Sequence, residues 1–202
     1  MGTHQAKNCA LALALCEDIL QDNDREYDAA NPFSETVCDR IRVQLATLHH
    51  PGRMEILSTE PFVLLDACIN TASCENVKDV LRHLGISKAT VIIGIPDDKD
   101  YAGVVRSMQE TADRILLTRS QNPHYHFTKE QERILAKEGI SVEWTDSIKE
   151  ALRLALPDIS PSDLTARSSC DHNLDLSHPV VILGTTSVIS EVEQIFIADQ
   201  PS

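Results

Sequence analysis

The 202 residues carry 31 acidic against 18 basic side chains, a formal charge of -13, so the Lys and Arg clusters that neutralise a phosphate backbone are missing and no nucleic-acid partner is expected. With 42% hydrophobic and 24% charged residues, the composition is that of a folded chain, long enough for one main domain with some appended structure. The longest apolar runs, such as Cys9 to Leu15 and Val180 to Leu183, fall far short of the roughly 20 residues that cross a bilayer, so no membrane partner is expected either.

The first residues, Met1 to Asn8, lack the charged, apolar and small-residue order of a secretory signal, and a cytoplasmic location is expected. Gln5 to Leu20 is rich in Ala and Leu, with Leu11, Leu15 and Ile19 at steps of four, the spacing of an amphipathic helix. An acidic run follows (Asp22, Asp24, Glu26, Asp28) and reads as a solvated loop, punctuated by Asn31-Pro32 before a second helix from Ser34 to Leu48. After Pro51-Gly52 the period changes. Met54 and Ile56 mark one strand, and Phe62 to Leu65, between Pro61 and Asp66, a second that is buried on both faces.

From there short apolar strands alternate with helices. The strands are Val91 to Ile93, Ile115 to Leu117, Val142 to Trp144 and Val180 to Leu183. The helices are Ser73 to Leu84, Tyr101 to Ala112, Thr128 to Lys137, Ser147 to Leu156 and Ser187 to Phe196. Such alternation predicts an α/β fold: a Rossmann-like, mostly parallel sheet with helices on both faces, preceded by a short helical segment. Residues 157–178 are polar and read as a surface insertion. Ligands gather where parallel strands end, so Asp66 to Thr71, Gly94 to Asp100, Thr118 to His124 and Gly184 to Ser187 carry the functional weight. The six cysteines include no Cys-x-x-Cys pair, and His124-x-His126 alone is too thin for a metal site, so no metal is assigned.

Five segments in these loops and helix starts occur together: Gly2-Thr3-His4-Gln5-Ala6-Lys7-Asn8, Pro51-Gly52-Arg53-Met54-Glu55, Asp66-Ala67-Cys68-Ile69-Asn70, Asp98-Lys99-Asp100 and Thr118-Arg119-Ser120-Gln121-Asn122-Pro123. Their order and spacing resemble the C-terminal part of folylpolyglutamate synthases, in the Mur ligase superfamily. The resemblance implies that residues 1–50 are the helical tail of a central ATPase domain and residues 51–202 a glutamate ligase domain. It further implies an ATP-dependent amide ligase that activates a folate carboxylate as an acyl phosphate, which the amine of glutamate then attacks.

In such enzymes the central domain supplies the Gly-rich phosphate loop and magnesium, while the C-terminal domain closes over ATP and presents glutamate. None of the seven glycines here precedes a lysine, so ATP and Mg2+ are expected only with a central domain, and none with the isolated chain. The expected partners are that domain or a second copy, and a glutamate-like small molecule.

Residue by residue, the resemblance implies nucleotide contacts for His4, Asn8, Arg53 and Asp66, and amino-acid contacts for Ile69, Asn70 and Lys99. Thr186 and Ser187, at the start of a helix after the last strand, suit a carboxylate by their hydroxyls and N–H groups. Six of these have a structural alternative: helix-start polarity for His4 and Asn8, a surface ion pair for Arg53, a turn cap for Asp66, a helix cap for Asn70 and a solvated helix start for Lys99. The departure from the family is sharpest at Ile69, where the family pattern Asp-Gly-Ala-His-Asn-Pro has a histidine. A hydrocarbon there removes any acid, base or electrostatic role of that ring. A non-catalytic module that kept the fold is therefore the alternative reading.

Overall fold

The structure, a computed structural model, describes residues 3–23, 35–47, 50–157 and 174–197. The chain divides into two units, Met1–Pro51 and Gly52–Ser202, each of which is taken by itself. In the first, α1 (Thr3–Asn23) runs beyond both predicted ends, since no proline or glycine interrupts its Ala- and Leu-rich sequence. The residues of its predicted stripe, Leu11, Leu15 and Ile19, are all exposed. The second helix, α2, spans Glu35–Thr47, and its predicted first residue, Ser34, lies outside the described residues, as does most of the acidic run.

The second unit is built on six strands: β1 (Glu55–Thr59), β2 (Phe62–Asp66), β3 (Ala89–Gly94), β4 (Ala112–Leu117), β5 (Glu143–Trp144) and β6 (Val180–Gly184). Their order across the sheet is β1-β2-β6-β3-β4-β5. Only β1 is antiparallel to its neighbour; β2, β6, β3, β4 and β5 are parallel. The helices are α3 (Thr71–His83), α4 (Tyr101–Met108), α5 (Glu130–Lys137), α6 (Ile148–Ala155) and α7 (Thr186–Ile197).

Strand alternation sorts the core into two layers. Phe62, Leu64, Val91, Ile93, Leu117, Val181 and Leu183 point to one face, where Val77 and Leu81 of α3, Val104 and Met108 of α4 and Leu135 of α5 cover them. Val63, Leu65, Ile92, Leu116, Val180 and Ile182 point to the other, under Ile148 and Leu152 of α6 and Val188, Val192 and Phe196 of α7. Every residue of β2 and β6 is buried, as expected of parallel strands with helices on both faces. The predicted α/β architecture is therefore the observed one.

The helix predicted from Tyr101 to Ala112 ends early, at Met108. Thr111 turns back onto Met108 O through both its N–H and its hydroxyl, and its own carbonyl accepts Ala89 N–H, which commits Ala112 to β4. Most of the predicted insertion at 157–178 lies outside the described residues. Its described end runs beside the β1–β2 turn, where Asp175 N–H donates to Thr59 O and Asp175 O accepts Phe62 N–H, with Leu174 and Leu176 against the core. No helix of the described residues is long and apolar enough to cross a membrane.

Truncating a side chain at the centre of the second layer tests this packing. Leu65→Ala is expected to lower the unfolding free energy by about 2–5 kcal/mol, read from urea denaturation.

Candidate functional site

The parallel strands end in register. Asp66, Leu183, Ile93, Leu117 and Trp144 form one row across β2, β6, β3, β4 and β5, so the loops that follow open on the same edge of the sheet. Glycines occupy the next position on the two central strands. A Cβ on Gly184 would sit 2.8 Å from Gly94 O and 2.8 Å from Val188 Cβ, and one on Gly94 would sit 2.7 Å from Val188 Cγ2. The pair lets the first turn of α7 press against the sheet edge.

At the β2 end, Asp66 is only 3% exposed. Its Oδ2 accepts Met54 N–H at 3.0 Å, and Met54 has φ 48, a left-handed conformation that a side chain with a Cβ adopts only under constraint. Gly52 N–H donates to Glu55 Oε2 at 2.7 Å, Ala67 N–H to Gly52 O at 2.8 Å, and Arg53 Nη1 to Ala67 O at 3.3 Å. Asp66 and Arg53 thus meet in one turn, with Asp66 turned to the backbone and the Arg53 side chain exposed to solvent.

Farther along the same loop, Asn70 caps α3: its Oδ1 accepts Ser73 N–H at 2.9 Å and Ser73 Oγ at 2.8 Å. Ile69 is half-buried. The next loop joins here, because Asp100 Oδ2 accepts the Thr71 hydroxyl at 2.8 Å while Oδ1 accepts Gly103 N–H at 3.0 Å, capping α4. The Thr71 hydroxyl foremost, with backbone N–H donors, holds the Asp100 carboxyl below the ordinary aspartate range. Lys99 stands beside this junction, its ammonium 3.4 Å from Asp98 Oδ2.

At the β6 end the hydroxyls form a chain: Thr185 Oγ1 lies 3.0 Å from Ser187 Oγ, which donates to Ser120 Oγ at 3.1 Å, which in turn accepts Asn122 N–H. Thr186 is exposed at the head of α7. One turn on from Ser187, Glu191 Oε1 accepts Gln121 N–H at 2.6 Å. Positions 187 and 191 share a helix face, so α7 grips the loop after β4 at two successive residues. That loop encloses a cleft of about 360 Å³ whose lining includes Arg119, Asn122, Tyr125, His126 and Thr128. Tyr125 and Phe127 meet edge to face at 6.4 Å. Arg119 Nε donates to Asp146 O at 3.0 Å.

Of the residues singled out in the sequence, the structure draws together Arg53 with the Asp66 turn, Asn70 and Lys99 through the Thr71–Asp100 junction, and Ser187 with Ser120. Asn8 is exposed on α1, in the first unit; the side chain of His4 lies outside the described residues. Three positioning residues were not singled out. Glu191 holds Gln121, while Gln131, 2% exposed, donates to both Ile95 O and Asp97 Oδ1. Asp97 ties in turn to Thr128 N–H and His126 O, joining the β3 and β4 loops. A polar residue among the apolar positions of α5 was the available signal for Gln131; nothing in the sequence separates Glu191 from its solvated neighbours. Among the described residues, no group of three or more His, Cys, Asp or Glu side chains is placed to hold a metal ion.

A mostly parallel sheet with polar loops gathered on its carboxyl edge defines a doubly wound α/β domain. Residues 52–167 match the family described as Mur ligase, glutamate ligase domain, and the chain belongs to it. Its relatives include the probable bifunctional folylpolyglutamate synthase/dihydropteroate synthase of Haloferax volcanii, 28% identical over 81% of this chain and 18% of that protein. The Mycobacterium tuberculosis folylpolyglutamate synthase complexed with ADP superposes with a TM-score of 0.74 at 22% identity, over 100% of this chain and 41% of that one. A bifunctional folylpolyglutamate synthase/dihydrofolate synthase with Mn, AMPPNP and L-glutamate bound gives 0.57 at 24% identity, over 80% and 34%. The chain thus spans less than half the length of these relatives.

Two measurements test the site's framework. Asp66→Ala, which leaves Met54 N–H without its carboxylate, is expected to cost about 1–3 kcal/mol in urea denaturation, and Asp66→Asn, which keeps an acceptor, less. Burial, opposed by the Gln121 N–H bond, raises the Glu191 carboxyl above its ordinary value. The folded state therefore binds that proton more tightly, and the associated stability is full below the unfolded value and lost as pH rises through the folded one. Wild type is expected to lose stability relative to Glu191→Gln over that rise and to run parallel to it at lower pH, read from denaturation at stepped pH.

Proposed function

We propose that this chain is the glutamate-presenting part of a folylpolyglutamate synthase-type, ATP-dependent amide ligase, and that it turns over only when joined by a central ATPase domain. The observation that carries the reading is the junction of the Asn70–Thr71 and Lys99–Asp100 loops on the edge where the Thr185–Ser187–Ser120 hydroxyls also open. An amino-acid dicarboxylate is recognised by a cation together with hydroxyl and helix-start N–H donors, and Lys99, Thr186 and Ser187 are of those types. Lys99 is exchangeable for this purpose, because its pairing with Asp98 is exposed and weak.

For the nucleotide, the exposed Arg53 guanidinium suits a phosphate oxygen, while the buried Asp66 carboxylate orients the turn that carries it. The described residues offer Mg2+ no ligand cluster, so their fit is to the phosphates through Arg53 and not to the metal. ATP, when bound, supplies the phosphoryl group that activates the acceptor carboxylate; this chain's residues orient the incoming amino acid and keep water from it.

A second reading is favoured by one residue. Ile69, half-buried where the family carries a histidine, offers neither a proton nor a hydrogen bond to a substrate, which suits a binding module that has left the reaction, paired with a central domain or a second copy.

Mixing the chain with a central domain of the family and assaying ATP-dependent addition of glutamate to a reduced folate separates the two. The ligase reading expects turnover that depends on both parts, and Lys99→Ala to raise the glutamate KM roughly 3- to 10-fold. Absence of turnover with every acidic amino acid, despite complex formation, leaves the binding-module reading.

A further inference from the structure

Cys68 and Cys74 lie at the two ends of the segment that carries Ile69 and Asn70, and their sulfurs are 3.4 Å apart. Both side chains are fully buried, and both thiols are free. Covalent sulfurs stand about 2.05 Å apart, so a closure of roughly 1.4 Å separates the thiol pair from a bond. We propose that Cys68 and Cys74 are a reversible disulfide-forming site, oxidised by peroxide-class oxidants and reduced by dithiols.

The two thiols are not equivalent. Cys74 lies in the first turn of α3, at the positive end of the helix dipole, which favours an anion. The Cys68 S–H bond foremost, with Ser107 and the Lys78 ammonium, lowers the Cys74 thiol from its ordinary value. That same bond and burial push the Cys68 thiol up. Cys74 is accordingly the nucleophile and Cys68 the resolving thiol.

The Cys74 thiolate attacks one peroxide oxygen, the O–O bond breaks, and the other oxygen leaves as water after taking a proton, giving a sulfenic acid on Cys74. Cys68 Sγ then attacks that sulfur; the S–S bond forms, the S–O bond breaks, and the hydroxyl departs as water with the Cys68 proton. Two thiols and one hydrogen peroxide give one disulfide and two waters. Hydrogen peroxide is close to water in size, and the segment that carries Cys68 borders solvent: its chain neighbours Ala67 and Ile69 are half-buried and Asn70 is exposed.

The bond would close a ring around Ile69, Asn70, Thr71, Ala72 and Ser73, which includes the α3 cap and the Thr71 link to Asp100. That it would restrict amino-acid binding rests on the proposed function; the bond itself does not.

Both cysteines fall in one tryptic peptide, Met54 to Lys78, that contains no other. The reduced chain is exposed to hydrogen peroxide, unfolded, alkylated with N-ethylmaleimide and mapped by mass. The expected result is that this peptide carries no maleimide, is lighter than its dithiol form by two hydrogen atoms, and takes two maleimides once dithiothreitol is added. Cys68→Ser is expected to leave Cys74 trapped by dimedone as a sulfenic acid. Full alkylation of Cys68 and Cys74 after the exposed Cys16 has been oxidised would overturn the proposal, as would cross-links that join either one to a third cysteine. Because the wild-type reading is a mass, it stands or falls apart from glutamate binding.

Discussion

A carboxylate kept almost wholly out of water has to be satisfied by donors, and at the end of β2 that requirement shapes the entry to the sheet. Asp66 draws Met54 N–H onto itself, and Met54 adopts a left-handed backbone to reach it. The preceding residues are fixed by the same geometry: Gly52 pairs with Ala67 and with Glu55, and Arg53 is left on the outside of the turn. A neutral side chain at position 66 would relieve the cost of burying a charge and would also release the turn that aims the arginine. The electrostatic expense at this point therefore has a structural return in the turn that carries Arg53.

The remaining loops are fastened to one another as much as to the sheet. Asp100 links α3 to α4, Asp97 and Gln131 link the β3 loop to the start of α5, and Ser187 with Glu191 links α7 to the loop after β4. Three of these four bonds use a carboxylate as the acceptor, an arrangement stronger than neutral pairing and exacting in its direction. The acidic excess of the chain is thus partly spent inside the loop network. Acidic side chains that are an excess in the composition become, in the fold, a means by which irregular segments are held.

The sheet was legible because its signal is local. Phe62 to Leu65 and Val180 to Leu183 are short unbroken apolar runs bounded by turn residues, as strands covered on both faces require, and the helices between them show their apolar spacing. The early end of α4 was not legible, because Ala112 suits a helix well and is claimed instead by a pairing with β3. Among candidate site residues, the cap at Asn70 could be read from its place three positions before Ser73, and the family from the order of the five segments. Glu191 could not, since its partner Gln121 is seventy positions away in the chain. The contact of Cys68 with Cys74 was not legible either, because it depends on how the first turn of α3 folds back on the end of β2.

Gly94 and Gly184 have a bearing beyond the close approach they permit. Neither is a ligand, and neither touches the hydroxyls of the loops, yet the two missing methyl groups set how deep α7 sits against the strand ends. Ser187 and Glu191 ride on that helix, so its depth is transferred as a lever arm to Ser120 and Gln121. A homologous domain with a bulkier residue at either place would carry the same polar groups on a helix standing farther out. The reach of the polar groups at this edge would then be set by two positions that carry no side chain of their own.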